Sequence, residues 1–338
     1  MKARIAAIEY HLPRGLVSNA QLAVEFPDWS AEKIEEKTGI AERWIAAGEE
    51  CASDLGLAAA TKLFASGACA PGDVDYLLLC TQSPDYFLPT TACILQDKLG
   101  IPTRAGALDF NLGCSGYVYG LGLAKALIET DQAQGVLLIT AETYSKFMHP
   151  GDKSVRTLFG DAGAATLVRG VAGDEESIGP FVYGTDGSGG GNLIVPTGGM
   201  RRRTAPADEE PSVDADGNVR TSANLYMNGP EIFIFTLRAV PKLVQELLSR
   251  SEKELADIDL FVFHQANLYM LEHLRKKLKI PAEKFFVGMR ECGNTVSCTI
   301  PIALKQAAGQ GRLRAGDLVM LVGFGVGYSW GATLVRWV

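Results

Sequence analysis

Four stretches of this 338-residue chain carry residue types able to do covalent or acid–base chemistry. Cys114 sits in DFNLGCSGYVYGLGLAKALI, where strand-like AGALDF ends, a turn passes through Gly113, and a helix-like run begins near the cysteine. The unpaired amides and positive dipole end of such a helix stabilise a thiolate and lower its pKa. Gly113 and Gly116 leave room beside the sulfur for an electrophile. A cysteine packed into a tight strand-to-helix junction fits the same pattern, and both readings stand. His264 closes the apolar LFVFHQANL, at the strand end where α/β folds present active groups. A histidine that merely caps its strand fits as well. Asn294, in ECGNTVSCTIPIAL, opens a helix and in isolation reads as an ordinary N-cap. In GFGVGYSWG, Gly323 to Gly331, alternating glycines would let backbone N–H groups bind an oxyanion. A crowded turn between hairpin strands is the plain alternative.

The elements that would position these residues alternate between strand and helix, the pattern of an α/β fold with buried sheets. DYLLLCTQ, GVLLITAE, LFVFHQAN and DLVMLVGFG read as buried strands, whereas YVYGLGLAKALIE, TLRAVPKLVQELLSR and IPIALKQAAGQ read as helices. The order repeats. GAATLVRGV at 163–171 returns as GATLVRWV at 331–338, and DVDYLLLCTQSPD is echoed by DIDLFVFHQANLY. Recurrence of several elements in one order predicts two similar halves, 1–172 and 225–338. Residues 173–224 are expected to be a connection and polar insertion, with DGN as its turn.

Composition narrows the class. With 47% hydrophobic and 21% charged residues the chain can bury a full core, and its net charge of −7 argues against binding nucleic acid. Arg201–Arg203 is followed closely by Asp208, Glu209 and Glu210, which reads as a solvated loop. Without a membrane-span or signal-peptide pattern, the expectation is a soluble cytoplasmic protein. The seven cysteines form no CxxC pair, so a reducing compartment and no metal site are expected. No cofactor is called for either.

Taken together, KTGIAER, the Cys114 turn, LFGDAGAA, HQANL, GNTVSCTIP and the terminal GFGVGYSWG resemble the β-ketoacyl-acyl-carrier-protein synthase III family over nearly the whole chain. The resemblance implies a thiolase-like fold, with two similar halves stacked as αβαβα layers. It also implies a decarboxylative Claisen condensation of an acyl thioester, carried on coenzyme A or acyl carrier protein (ACP), with malonyl-ACP. Cys114 would be the nucleophile, His264 and Asn294 its partners, and the Cys114 and Val326 N–H groups the oxyanion donors. Phe324, Leu88, Asn267 and Gln265 would contact substrate, and a homodimer is implied.

Several positions depart from the family pattern. Lys33 stands where an aromatic residue helps hold the adenine of coenzyme A, Lys153 where an arginine faces it, and Tyr269 where an arginine follows HQANL. Leu88 replaces a phenylalanine, NLGC is more polar than usual, and the insertion at 198–222 is longer. A specialised acyl donor is the expectation. Three rival readings share parts of the pattern: a papain-like hydrolase, a thiolase-fold enzyme passing the acyl group to an alcohol or amine, and an inactive structural partner.

Overall fold

Strands buried on both faces organise the chain into two sheets, and the computed structural model describes all 338 residues. β1 (Lys2–His11), β2 (Tyr76–Cys80), β3 (Gly106–Phe110), β4 (Gly135–Glu142) and β5 (Ala162–Val171) form the first sheet, ordered β1-β5-β4-β2-β3. β6 (Ile178–Thr185), β7 (Leu260–Phe263), β8 (Leu318–Gly325) and β9 (Ser329–Arg336) form the second, ordered β7-β8-β9-β6. The pairings match term for term. In each sheet two antiparallel pairs lead to a parallel pair, and the first sheet adds a second parallel pair, β2 with β3. A lone parallel bridge from Phe261 to Phe285 stands where the first sheet has β3.

The recurring ATLVR segments are therefore equivalent strands, β5 and β9, each between two antiparallel neighbours. One boundary differs from expectation. β6 lies inside the stretch 173–224 expected as connection, yet it is an edge strand of the second sheet. Its sequence IGPFVYGT is interrupted by Gly and Pro, and Gly179–Pro180 dilutes the strand signal. Within the insertion, Ser212–Val213 pairs with Val219–Arg220 around a turn in which Asp214 accepts from the amides of Asp216 and Asn218. The hairpin is tied down: Arg220 Nε donates to Asp152 Oδ2 at 3.0 Å.

Six helices complete the layers: α1 (Ala52–Ala65), α2 (Thr91–Lys98), α3 (Gly116–Glu129), α4 (Gly229–Arg250), α5 (Leu268–Leu278) and α6 (Thr299–Gly309). Strand periodicity decides which side chain meets which layer. Val136 and Leu138 of β4 face α3 and α6, together with Val319 and Leu321 of β8. Leu137 and Ile139 point the other way, onto α1 and α2. Met320 and Val322 of β8 pack on α4 and α5. The outcome is αβαβα stacking, with α3 and α6 buried between the sheets. No helix is long and apolar enough to cross a membrane.

Because α6 is held from both sides, a cavity there has little freedom to collapse. Leu304→Ala, at a fully buried position of α6, is expected to lower unfolding free energy by about 2–5 kcal/mol. Denaturant titration of the variant against the parent measures it.

Candidate active site

The two buried central helices bring their N-terminal ends to one place. β3 ends at Phe110, the chain turns through Asn111–Ser115, and α3 starts at Gly116. Cys114 thus stands at the mouth of a 14-residue helix, only 5% exposed. The junction is tight: a Cβ on Gly116 would fall 2.2 Å from Cys80 Sγ, and one on Gly325 would fall 2.8 Å from Cys114 Sγ. The second contact explains the terminal glycine run, since β8 passes directly over the sulfur. The Ser115 and Ser329 hydroxyls, 2.5 Å apart, pin this approach.

His264 follows β7 and is 2% exposed, its own N–H donating to Val322 O at 2.8 Å. Its Nδ1 is 2.8 Å from Thr299 Oγ1, and Phe324 meets the ring edge-on at 5.6 Å. Asn294 is fixed by the chain around it. Its N–H donates to Leu158 O, its carbonyl accepts from Gly160 N, and its Oδ1 accepts from Val296 N at 3.0 Å. Its Nδ2 reaches Ala266 O at 3.3 Å and has a second proton to offer. Cys114, His264 and Asn294 line a single cavity of about 80 Å³ together with Phe324, Asn267 and Gly325.

Electrostatics here is governed by dehydration. Burial pushes the His264 pKa down to about 3, so the ring is neutral at physiological pH. Burial likewise pushes the Cys114 thiol up to about 12, with the nearby Glu142 carboxyl adding to the rise. The Val326 and Cys114 amides pull the other way by hydrogen bonding to the sulfur. A helix N-terminus by itself would predict a lowered thiol pKa, but desolvation at this depth outweighs it. The resting group is a thiol. Only the backbone amides favour the charged form of this sulfur.

Several expected contacts fall elsewhere. Gln265 is turned away from the cavity: its amide donates to Phe263 O at 2.6 Å and accepts from Gly288 N at 2.8 Å. It braces the end of β7. Leu88 is 81% exposed and lines neither this cavity nor its neighbour. Asn267 does line the cavity, while its Oδ1 caps α5 by accepting from Met270 N at 2.8 Å. Trp29, just ahead of the helical segment that carries Lys33, places an aromatic ring near it. The ammonium groups of Lys33, Lys37 and Lys153 lie 5.5, 4.6 and 6.0 Å from its ring centroid.

Two neighbours of the site are not singled out by sequence, although Thr299 lies within GNTVSCTIP. Thr299 has one hydroxyl proton for two acceptors, His264 Nδ1 and Val296 O at 3.0 Å. Glu142, fully buried with no cation beside it, accepts from Gln82 N at 3.0 Å, Ser83 Oγ at 3.3 Å and Ser297 Oγ at 2.8 Å. It joins the β2 loop to the turn that carries Asn294. A carboxylate closing the wholly apolar run GVLLITAE was its only sequence signal.

Comparison with known proteins gives a consistent result. The family described as 3-oxoacyl-(acyl-carrier-protein) synthase III matches residues 108–187, and its C-terminal counterpart matches residues 248–337. A β-ketoacyl-(acyl-carrier-protein) synthase III of Clostridium perfringens is 36% identical over 336 residues, covering 99% of both chains. A crystal structure of a 3-oxoacyl-(acyl-carrier-protein) synthase III superposes with a TM-score of 0.98 at 56% identity, covering 100% of each chain. The β-ketoacyl-(acyl-carrier-protein) synthase III of Thermus thermophilus gives 0.86 at 36% identity, covering 99% of each.

The setting of Glu142 makes stability depend on pH. Burial raises its pKa from 4.5 to about 8, so the native chain holds a proton that the unfolded chain releases in this range. Stability is therefore full below the lower value and falls as pH rises through the upper one. Glu142→Gln is expected to flatten that slope. Thermal midpoints collected from about pH 5 to about pH 9 for parent and variant check it.

Proposed function

The chain belongs to the β-ketoacyl-acyl-carrier-protein synthase III family, and from that premise we propose that it condenses its two thioesters through an acyl group held on Cys114. Condensing acyltransferase activity on the thiolase fold is the property of the family; the roles of individual residues are our reading. The observation that carries it is the cavity shared by Cys114, His264 and Asn294, with the Val326 and Cys114 amides turned on the sulfur.

In the first half-reaction Cys114 Sγ attacks the thioester carbonyl, and the two amides hold the tetrahedral oxyanion. The C–S bond to the donor breaks and the proton lost by Cys114 ends on the freed donor thiol. In the second, malonyl thioester binds where His264 and Asn294 can donate to its carbonyl oxygen. The bond to the carboxylate breaks, CO₂ leaves, and the electron pair passes into an enolate stabilised by those two donors. A neutral imidazole suits this task, since an imidazolium would protonate the carbanion. Nε2 carries the ring proton when Thr299 gives its hydroxyl proton to Nδ1. The carbanion then attacks acyl-Cys114, a C–C bond forms, and the released thiolate takes up one proton.

The acyl donor is carried on coenzyme A. The Trp29 face with three ammonium groups around it offers a surface for adenine and cations for phosphates. The malonyl group arrives on acyl carrier protein. The chain acts as a homodimer, supported by β3, an unpaired edge strand carrying exposed Leu108, and by the exposed run Tyr86, Phe87, Leu88.

Separating the half-reactions tests the assignment. His264→Ala and Asn294→Ala are expected to take up an acyl group on Cys114 yet lose on the order of 10²–10³ in malonyl-dependent CO₂ release. Equal loss of both steps would contradict the division of roles. For the assembly, Leu108→Lys on the edge strand is expected to shift sedimentation from dimer to monomer, and a monomeric parent chain would refute the dimer.

A further inference from the structure

A second cavity, of about 900 Å³, opens beside the catalytic one. The two share Leu193, and Val326 lines the larger one while its amide faces the Cys114 sulfur. An acyl chain on Cys114 therefore has this space to enter. Part of the lining is hydrocarbon, from Leu193, Val195 and Leu225. One wall is polar.

Gln82, Asn111 and Tyr144 form a connected polar chain on that wall. The Tyr144 hydroxyl donates to Gln82 Oε1 at 2.5 Å, and Gln82 Nε2 donates to Asn111 Oδ1 at 3.1 Å. All the bonds run one way, so the chain uses its acceptors and leaves donors over. The second Gln82 N–H and both Asn111 side-chain N–H groups have no protein acceptor. The wall begins at the nucleophile, since a Cβ on Gly113 would fall 2.4 Å from Gln82 Oε1. The charged groups on this cavity, Asp85 and Lys146, are opposite in sign, and each has a backbone partner. Asp85 accepts from Ser53 N at 3.2 Å, and Lys146 donates to Gly48 O at 2.6 Å.

We propose that this cavity selects an acyl group bearing a hydrogen-bond-accepting oxygen, such as a hydroxyl, with Gln82 and Asn111 as the specificity-determining residues. The inference rests on the reading of Cys114 as the acyl-carrying nucleophile. A plain alkyl chain would cover unpaired donors without replacing their hydrogen bonds to water. Sites built to bond a substrate oxygen discriminate strongly against the analogue that lacks it.

Single-turnover loading with butyryl-, 3-hydroxybutyryl- and 4-hydroxybutyryl-coenzyme A, followed by intact mass, tests this on the full chain. In each case the acyl group passes to Cys114 Sγ and the thiol proton to the freed coenzyme A. At least one hydroxyacyl donor is expected to load at least about tenfold faster than butyryl. Gln82→Leu and Asn111→Leu are expected to shrink or invert that ratio. Butyryl loading as fast as both hydroxyacyl donors in the parent, or an unchanged ratio in both variants, would overturn the proposal. Absence of any adduct on Cys114 from all three donors would instead overturn the nucleophile assignment beneath it.

Discussion

Everything in this molecule turns on a sulfur atom taken out of water without a cation beside it. At 5% exposure the Cys114 thiol is pushed up to about 12, and the nearby Glu142 carboxyl adds to the rise rather than opposing it. His264 is held neutral by the same dehydration. What remains to stabilise negative charge is backbone: the open end of α3 and the Val326 amide. Fixed dipoles in a dry site need no reorganisation when charge develops, which suits a reaction whose charge appears successively on sulfur, on an oxyanion and on an enolate. The same dryness keeps water from an acyl-enzyme or carbanion.

That demand accounts for the architecture around it. A helix mouth stays dry only if the helix lies inside the protein, and the duplicated sheets bury α3 and α6 between them. Each half delivers part of the site from one edge of its sheet. The first supplies the thiol after β3; the second supplies the imidazole after β7 and the amide before α6. Glu142 spans the seam, accepting from Ser83 of the first half and Ser297 of the second. Glycine at 325 lets its strand close to within contact of the Cys114 sulfur, and glycine at 116 lets the helix start against Cys80. The machinery is thus a consequence of stacking two copies of one supersecondary plan.

Much of this was legible in order along the chain. GVLLITAE is buried at every position, the ATLVR segments occupy equivalent strands, and the Cys114 turn does lead into a helix. These signals are local, set by periodicity and by glycines at a turn. What escaped the sequence is contact between distant segments. Gln265, inside the HQAN motif, faces its own strand and not the substrate. Trp29 and Lys153, far apart in the chain, meet only in the fold. The Tyr144, Gln82 and Asn111 chain is assembled from three loops. The thiol's pKa escaped for a related reason: a helix start can be read from residues, but the depth of its burial cannot.

The account's central claim is that one acyl group waits on Cys114 until decarboxylation supplies its acceptor. The most direct measurement loads the chain with an acyl thioester, removes free donor, and follows the mass of the adduct and the evolved CO₂ together. The account predicts that the adduct persists in buffer and disappears on adding malonyl-ACP, with one CO₂ and one β-ketoacyl thioester formed for each acyl group lost. An adduct that transfers to water, an alcohol or an amine at the same rate without CO₂ would contradict it, as would undiminished condensation by Cys114→Ala.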